Sequence, residues 1–176
     1  MRFLPFLCMA VAISGCASSA APKATAVPVV SYHDQQYRFS FSYPSGWKAP
    51  TKGGHVTSVQ SVPTYVVPVT TPHNIAGVQV TVDHQVIPLP TFVEGRVAAD
   101  PSGGPDTFHY HHLKVSGWPA MQIKRYSGTT VDGVFTIINT RTLSYQVEMI
   151  TAQPPFPPTA FNGYNTIVRT LKIPFS

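Results

Sequence analysis

The residues best suited to chemistry lie in one short stretch, His109-Tyr110-His111-His112. Side chains two residues apart on a β-strand point to the same face, about 6.5–7 Å apart along the strand. His109 and His111 could therefore share a zinc or copper ion. The candidates for a third ligand are His112, His84, Asp83 and Asp106. A solvent-facing strand that happens to be rich in histidine, with a charge that responds to pH, is the simpler interpretation.

No other pattern in the sequence indicates catalysis. Asp34 follows His33 and could form half of an acid–base pair, but its place at the edge of a flexible segment predicts exposure to water. The other carboxylates are scattered along the chain. The sequence contains no Gly-x-Ser-x-Gly nucleophile elbow and no glycine motif for phosphate or dinucleotide binding. We therefore predict that the protein is not an enzyme.

A second chemical site is predicted near the N-terminus, at Cys16. Arg2 precedes an apolar run over residues 3–13, which is typical of an export signal. The run is shorter than the roughly 20 residues of a membrane-spanning helix. It ends in Ile13-Ser14-Gly15-Cys16, which resembles the lipobox of bacterial lipoproteins. The resemblance implies that the Cys16 thiol receives a diacylglyceryl group, that the chain is cut before Cys16, and that the new amine is acylated.

These features predict three segments: a signal peptide over 1–15, a lipidated flexible tether over 16–35, and a folded domain over 36–176. The tether is rich in small residues and proline. We expect the protein in the cell envelope, held to a membrane by its lipid. The Ala17-Ser18 pair after the cysteine resembles the outer-membrane pattern of two-membrane bacteria, where the domain would face the periplasm. In other bacteria it would lie on the outer face of the cell membrane.

Composition narrows the range of partners. Only 11% of the residues are charged, against about 25% in typical globular proteins, and the net charge is +5. The charges are scattered, so no nucleic-acid partner is predicted. A mildly basic domain could be attracted to anionic lipid headgroups. Cys8 and Cys16 are the only cysteines, so the predicted domain has none for a disulfide.

Hydrophobic periodicity predicts mainly β-structure. In the segment 37–43 aromatic residues alternate with others, which indicates a strand whose core-facing residues are Tyr37, Phe39, Phe41 and Tyr43. The segments 57–62 and 64–69 contain or flank prolines, which predicts edge strands or bends. A further strand should run from Val78 to about Ile87.

The second half of the chain predicts a meander between two helices. Thr91 and Glu94 form a capping box, which indicates a short helix to about Ala99. Asp132-Gly133 predicts a two-residue hairpin. Strands are predicted over 107–115, 118–126, 134–143 and 145–151, and a terminal helix over 159–171. The expected fold is α+β, with an antiparallel sheet of about six to seven strands and a short middle helix and a C-terminal helix packed on it.

Several of these segments resemble the PsbP-like family. The opening segment 39–47, Phe-Ser-Phe-Ser-Tyr-Pro-Ser-Gly-Trp, is similar to the family's first strand and its Tyr-Pro-x-x-Trp motif. Weaker similarities lie in 117–120, 143–147 and 170–173. The resemblance implies an α+β sandwich and, because family members are mostly binding or assembly proteins, a role other than catalysis. Trp47 and Trp118 are expected to pack in the core.

The sequence therefore predicts a lipid-anchored protein of the cell envelope that binds or helps assemble another envelope protein. It is expected to need no cofactor. The alternative is a periplasmic metal-binding protein that holds zinc or copper with His109, His111 and His112.

Overall fold

The computed structural model describes residues 27–50, 54–57, 63–71, 76–86, 88–98, 107–151 and 156–175. Cys16, the predicted signal peptide and most of the predicted tether lie outside these ranges.

The described residues form nine strands and two helices. In chain order they are β1 (Val29–His33), β2 (Ser40–Pro44), β3 (Gly54–Thr57), β4 (Pro63–Thr70), β5 (Ala76–Asp83), α1 (Leu89–Ala98), β6 (Thr107–Val115), β7 (Trp118–Ser127), β8 (Thr130–Asn139), β9 (Ser144–Thr151) and α2 (Pro158–Thr170). Seven strands make one antiparallel sheet in the order β3-β4-β5-β9-β8-β7-β6. β1 and β2 pair separately as a two-stranded ribbon.

Other elements pack on both faces of the large sheet. On β8, Thr136 and Ile138 face the layer formed by the ribbon and α2, and the Thr136 hydroxyl lies 2.6 Å from that of Tyr164 on α2. Phe135 and Ile137 point the other way, into a smaller cluster that includes Leu89 of α1. The predicted α+β fold, an antiparallel sheet with a short middle helix and a C-terminal helix packed on it, is confirmed.

The ribbon packs on the sheet through the alternating aromatic side chains that the sequence predicts to face the core. Phe39, Phe41 and Tyr43 are buried, and Phe39 meets Tyr145 of β9 edge-on, with 5.8 Å between ring centroids. Tyr37 is only partly buried. Two-stranded ribbons are marginal in water by themselves, so this apolar face is what makes the ribbon stable.

The free edge of β2 is tied to the end of α2. The backbones of Ser40 and Lys172 exchange hydrogen bonds of 3.0 and 2.8 Å. The Ser42 amide donates to the Thr170 hydroxyl at 2.8 Å. The ribbon and α2 therefore form one continuous outer layer.

Trp47 packs against α2 within this layer. Its indole lies against Gly163, and a Cβ at position 163 would overlap the ring. Glycine weakens a helix interior by about 1 kcal/mol relative to alanine, so its presence here reflects the close approach of the indole. The expectation that Trp47 packs on the core is met by this contact and by its partial burial.

The predicted end of the tether at residue 35 is wrong. Val29–His33 form β1, which pairs with β2 in the register Val29↔Pro44 to His33↔Ser40. The Tyr32 ring packs against Phe41 with 5.2 Å between centroids. Ordered structure therefore starts before residue 36, because β-branched residues and one aromatic residue find a strand partner.

The predicted hairpin at Asp132-Gly133 is also wrong. The chain turns instead at Gly128-Thr129, where Gly128 has φ +60°. Arg125 pairs with Gly133 and Tyr126 with Val131, so Asp132 is the extra residue of a β-bulge inside β8. The Asp132 carboxylate accepts a hydrogen bond of 2.8 Å from Arg125 Nε, which stabilises the bulge.

Two predicted boundaries shift around α1. The helix begins at Leu89, so Thr91 lies inside it and the predicted capping box does not form the N-terminus. Pro90 is compatible with a first helical turn, where no N–H is needed. β5 ends at Asp83 and not near Ile87. Of the two predicted proline-flanked segments, residues 58–62 lie outside the described ranges. The other forms β4, which pairs with both β3 and β5 and so is not an edge strand where β3 covers it.

Replacing Gly163 with alanine should destabilise the fold, although alanine is the better helix former. We expect the free energy of unfolding in urea to fall by about 1–3 kcal/mol, because the new methyl group overpacks against Trp47. The matched control is Gly95→Ala in α1, where nothing lies within 4 Å. That change should raise stability by up to about 1 kcal/mol. Equal effects of the two substitutions would contradict the Trp47 contact.

Stability should fall at high pH because of Tyr145. Burial raises the pKa of its hydroxyl from 10.0 to about 12, with smaller contributions from Asp34 and Tyr37. The unfolded chain loses this proton first, so the contribution is full below about pH 10 and is lost between pH 10 and 12. Urea titrations across this range should show a loss of about 2–3 kcal/mol from this group. The Tyr145→Phe variant should show a shallower loss, and an unchanged profile would contradict the assignment.

Candidate functional site

The histidine stretch lies on β6, at the edge of the large sheet. His109, Tyr110, His111 and His112 are all exposed. His109 and His111 share one face, opposite Lys124 and Gln122 of β7. The His109 ring packs on Tyr126 with 4.8 Å between centroids. The predicted placement of the two histidines on one strand face is confirmed.

The other proposed metal ligands do not join this pair. His112 follows His111 directly on the strand and so points to the opposite face. Asp83 and His84 lie at the end of β5, four strand positions away, which is about 19 Å across a sheet. Asp106 lies outside the described residues. Among the residues that the structure describes, no group of three or more His, Cys, Asp or Glu side chains could hold a metal ion.

Lys124 makes the histidine pair a poorer cation site. It is the cross-strand neighbour of His109 on the same face, where directly opposed side chains have Cβ atoms about 5 Å apart. A bound divalent ion would add positive charge beside the lysine ammonium. The described residues on this face therefore supply two imidazole ligands, half of the four that a tetrahedral metal site needs. They lie beside a positive charge that repels a cation.

Asp34 is not the exposed carboxylate that the sequence suggested. Its side chain is buried and accepts hydrogen bonds from the Tyr32 hydroxyl at 3.0 Å and from the amides of Gln36 and Tyr37 at 3.0 and 2.7 Å. His33, its chain neighbour, is exposed on the ribbon. Asp34 therefore organises the turn from β1 to β2, and no acid–base pair with His33 is formed.

The sequence did not predict the apolar cavity that lies between the ribbon and the N-terminal half of α2. Its volume is about 460 Å³, within the usual range of ligand pockets. Trp47 forms one wall and Val27 and Val29 form another, and both valines are more than half exposed. The remaining lining is Pro44, Gly46, Thr71, Pro157, Thr159, Asn162 and Thr166. The run Val27-Pro28-Val29-Val30, which lies within the predicted tether, is the feature of the sequence that could have indicated this cavity.

A second cavity of about 530 Å³ follows along the same layer, at the C-terminal end of α2. Its lining is cationic and rich in hydroxyl groups: Ser31, His33, Ser40, Phe41, Ser42, Ser116, Arg169, Thr170, Leu171 and Lys172. None of these residues is acidic. Part of the lining is structurally fixed, since the Ser116 hydroxyl donates to the carbonyl of Ile173 and accepts from its amide.

Among the described lining residues of both cavities, no hydrogen bond joins a serine or threonine hydroxyl to a histidine or carboxylate. Thr170 donates its hydroxyl to the carbonyl of Thr166 at 2.7 Å, and the hydroxyls of Ser31 and Ser42 lie 3.4 Å apart. Within the described ranges, no helix is long and apolar enough to cross a membrane. An apolar cavity next to a cationic cavity is suited to binding a ligand.

Comparison with known proteins agrees with the architecture. The solution structure of cyanobacterial PsbP (CyanoP) from Synechocystis sp. PCC 6803 superposes with a TM-score of 0.51 at 16% sequence identity, covering 89% of this chain and 98% of that one. The chain therefore has the PsbP-like fold. No model of a protein family matches the sequence, and no curated protein does.

Zinc titration tests whether the pair of His109 and His111 is a metal site. Calorimetry should give the same weak affinity for the wild-type chain and for the His109→Ala, His111→Ala double variant, since two ligands beside Lys124 are too few for a tight site. His112→Ala, on the opposite face, is the control. Clearly tighter zinc binding by the wild type than by the double variant would instead support the metal-binding alternative.

Proposed function

We propose that this chain is a lipid-anchored, non-enzymatic protein of the cell envelope, which binds or helps assemble another envelope component at a membrane. The observation that carries the binding role is the apolar cavity beside Trp47, open to solvent and lined by exposed valines at the start of the described chain. Monomeric proteins seldom leave apolar surface of this kind uncovered unless something binds there.

The fold supports a role other than catalysis. The PsbP-like family that the sequence resembles consists mostly of binding and assembly proteins, and the similarity in fold extends over most of the chain. Fold alone does not define function, but the two cavities also support binding, because their described lining residues form no catalytic arrangement.

The predicted anchor is well placed to bring the apolar cavity to a membrane. Cys16 precedes Val27 by eleven residues, which span at most about 36 Å when extended. The tether would therefore enter the domain at the cavity itself. In a two-membrane bacterium we expect the lipid in the outer membrane, with the domain facing the periplasm and an envelope protein as its partner.

The metal-binding alternative is the weaker one. It needs a third ligand for His109 and His111, and the described residues near them supply Lys124 instead. We therefore expect no resident cofactor.

Labelling growing cells with a clickable fatty acid tests the anchor. The wild-type protein should take up label and sediment with membranes, whereas Cys16→Ala should lose the label, because the thiol is the acceptor. Cys8→Ala is the matched control, since it removes the other cysteine of the chain without touching the predicted lipobox. Equal labelling of the Cys16→Ala variant and the wild type would refute the anchor.

A further inference from the structure

The outer surface of the ribbon–helix layer changes from apolar to cationic along one line. On β1, Val29, Ser31 and His33 share a face, because residues two apart on a strand do so. On α2 the corresponding line runs from Thr159 to Thr170, about 16 Å along the helix axis. The first cavity is lined by Val29 and the second by Ser31, the next residue on the same face of β1, so the two cavities adjoin along this line, and together we call them the trough.

The first half of the trough suits a hydrocarbon chain. Trp47, Val27, Val29 and Pro44 present apolar surface. The polar group of Thr166 is already satisfied, since its hydroxyl donates to the Asn162 carbonyl at 2.8 Å. A peptide in the same place would bury backbone groups in need of partners, at a cost of about 1–3 kcal/mol for each one left unpaired. A hydrocarbon chain brings no such groups.

The second half suits an anion. Arg169 and Lys172 lie within four residues of each other at the end of α2, and both are exposed. The C-terminus of a helix carries a partial charge of about −0.5, which works against an anion. Two full positive charges outweigh it, and no acidic residue lines the cavity among those described. The hydroxyl groups of Ser31 and Ser42 line the same cavity, 3.4 Å from each other, and one of them can donate a further hydrogen bond.

We propose that the trough binds one anionic membrane phospholipid, with an acyl chain along Trp47 and Val29 and the phosphate at Arg169 and Lys172. This inference rests on the proposed function, because the anchor supplies the membrane from which the lipid is taken. It adds a lipid ligand to the protein partner of the proposed function. The order of the two halves matches a single amphiphile, whose chain and headgroup are joined end to end.

The two tryptophans of the chain allow a direct test. Trp47 lines the apolar half, whereas Trp118 stacks on Phe175 and lies two residues from Ser116 at the cationic end. The full chain is reconstituted into nanodiscs of phosphatidylcholine with increasing amounts of phosphatidylglycerol brominated in its acyl chains. Trp118→Phe leaves Trp47 as the single fluorophore, and Trp47→Phe leaves Trp118.

We expect brominated phosphatidylglycerol to quench Trp47 and to leave Trp118 nearly unaffected. Arg169→Gln with Lys172→Gln should raise the amount of lipid needed for half-quenching about tenfold, as expected for the loss of charge-assisted hydrogen bonds. Lys114→Gln with Arg141→Gln is the control, since it removes the same charge from exposed positions outside the trough. Circular dichroism of each variant checks that it is folded.

The proposal would be overturned by no quenching of Trp47, by equal quenching of both tryptophans, or by equal quenching of Trp47 when brominated phosphatidylcholine replaces the anionic lipid. Insensitivity to the Arg169 and Lys172 substitutions would do the same. Failure of the anchor is read separately, from the intact mass of the same preparation, which shows whether Cys16 carries lipid.

Discussion

The architecture depends on the packing of a small outer layer onto a large sheet. Among the described strands, the β1–β2 ribbon pairs with none of the large sheet, so the burial of Phe39, Phe41 and Tyr43 against β9 and α2 holds it in place. Backbone pairing of Ser40 with Lys172 then fixes its position along α2. Beyond Cys16 the chain contains no cysteine, so no disulfide reinforces this contact.

This constraint explains why the surfaces suited to binding lie in the outer layer. The faces of the large sheet are occupied by the outer layer and by α1, which leaves the seams between the elements as the open hollows. Trp47 takes part in both the outer layer and the apolar cavity, because its indole packs on Gly163 and the same residue lines that cavity. Stability of the layer and shape of the cavity therefore depend on the same side chain.

The alternation of side chains was readable from the sequence because it follows from backbone geometry alone. Val78, Val80 and Val82 are buried as their period of two predicts, and β6 begins and ends where predicted. Local signals failed where long-range pairing outweighed them. Asp132-Gly133 has hairpin chemistry, but the register between β7 and β8 turns it into a bulge beside Arg125. Asp34 follows a stretch that resembles a tether, yet it is buried because β1 pairs with β2.

In the candidate sites too, some features follow from the sequence and others only from the tertiary structure. Types and spacings of residues were enough to establish the α+β class, the aromatic face of the first predicted strand, and the shared face of His109 and His111, since each depends only on the periodicity of strands and helices. Which residues meet across the chain was decided by tertiary structure. Val29 and Arg169 are 140 positions apart, and they border one trough only because the ribbon and α2 pack side by side. No local pattern encodes that proximity, because it arises from the burial of apolar faces far apart in the sequence.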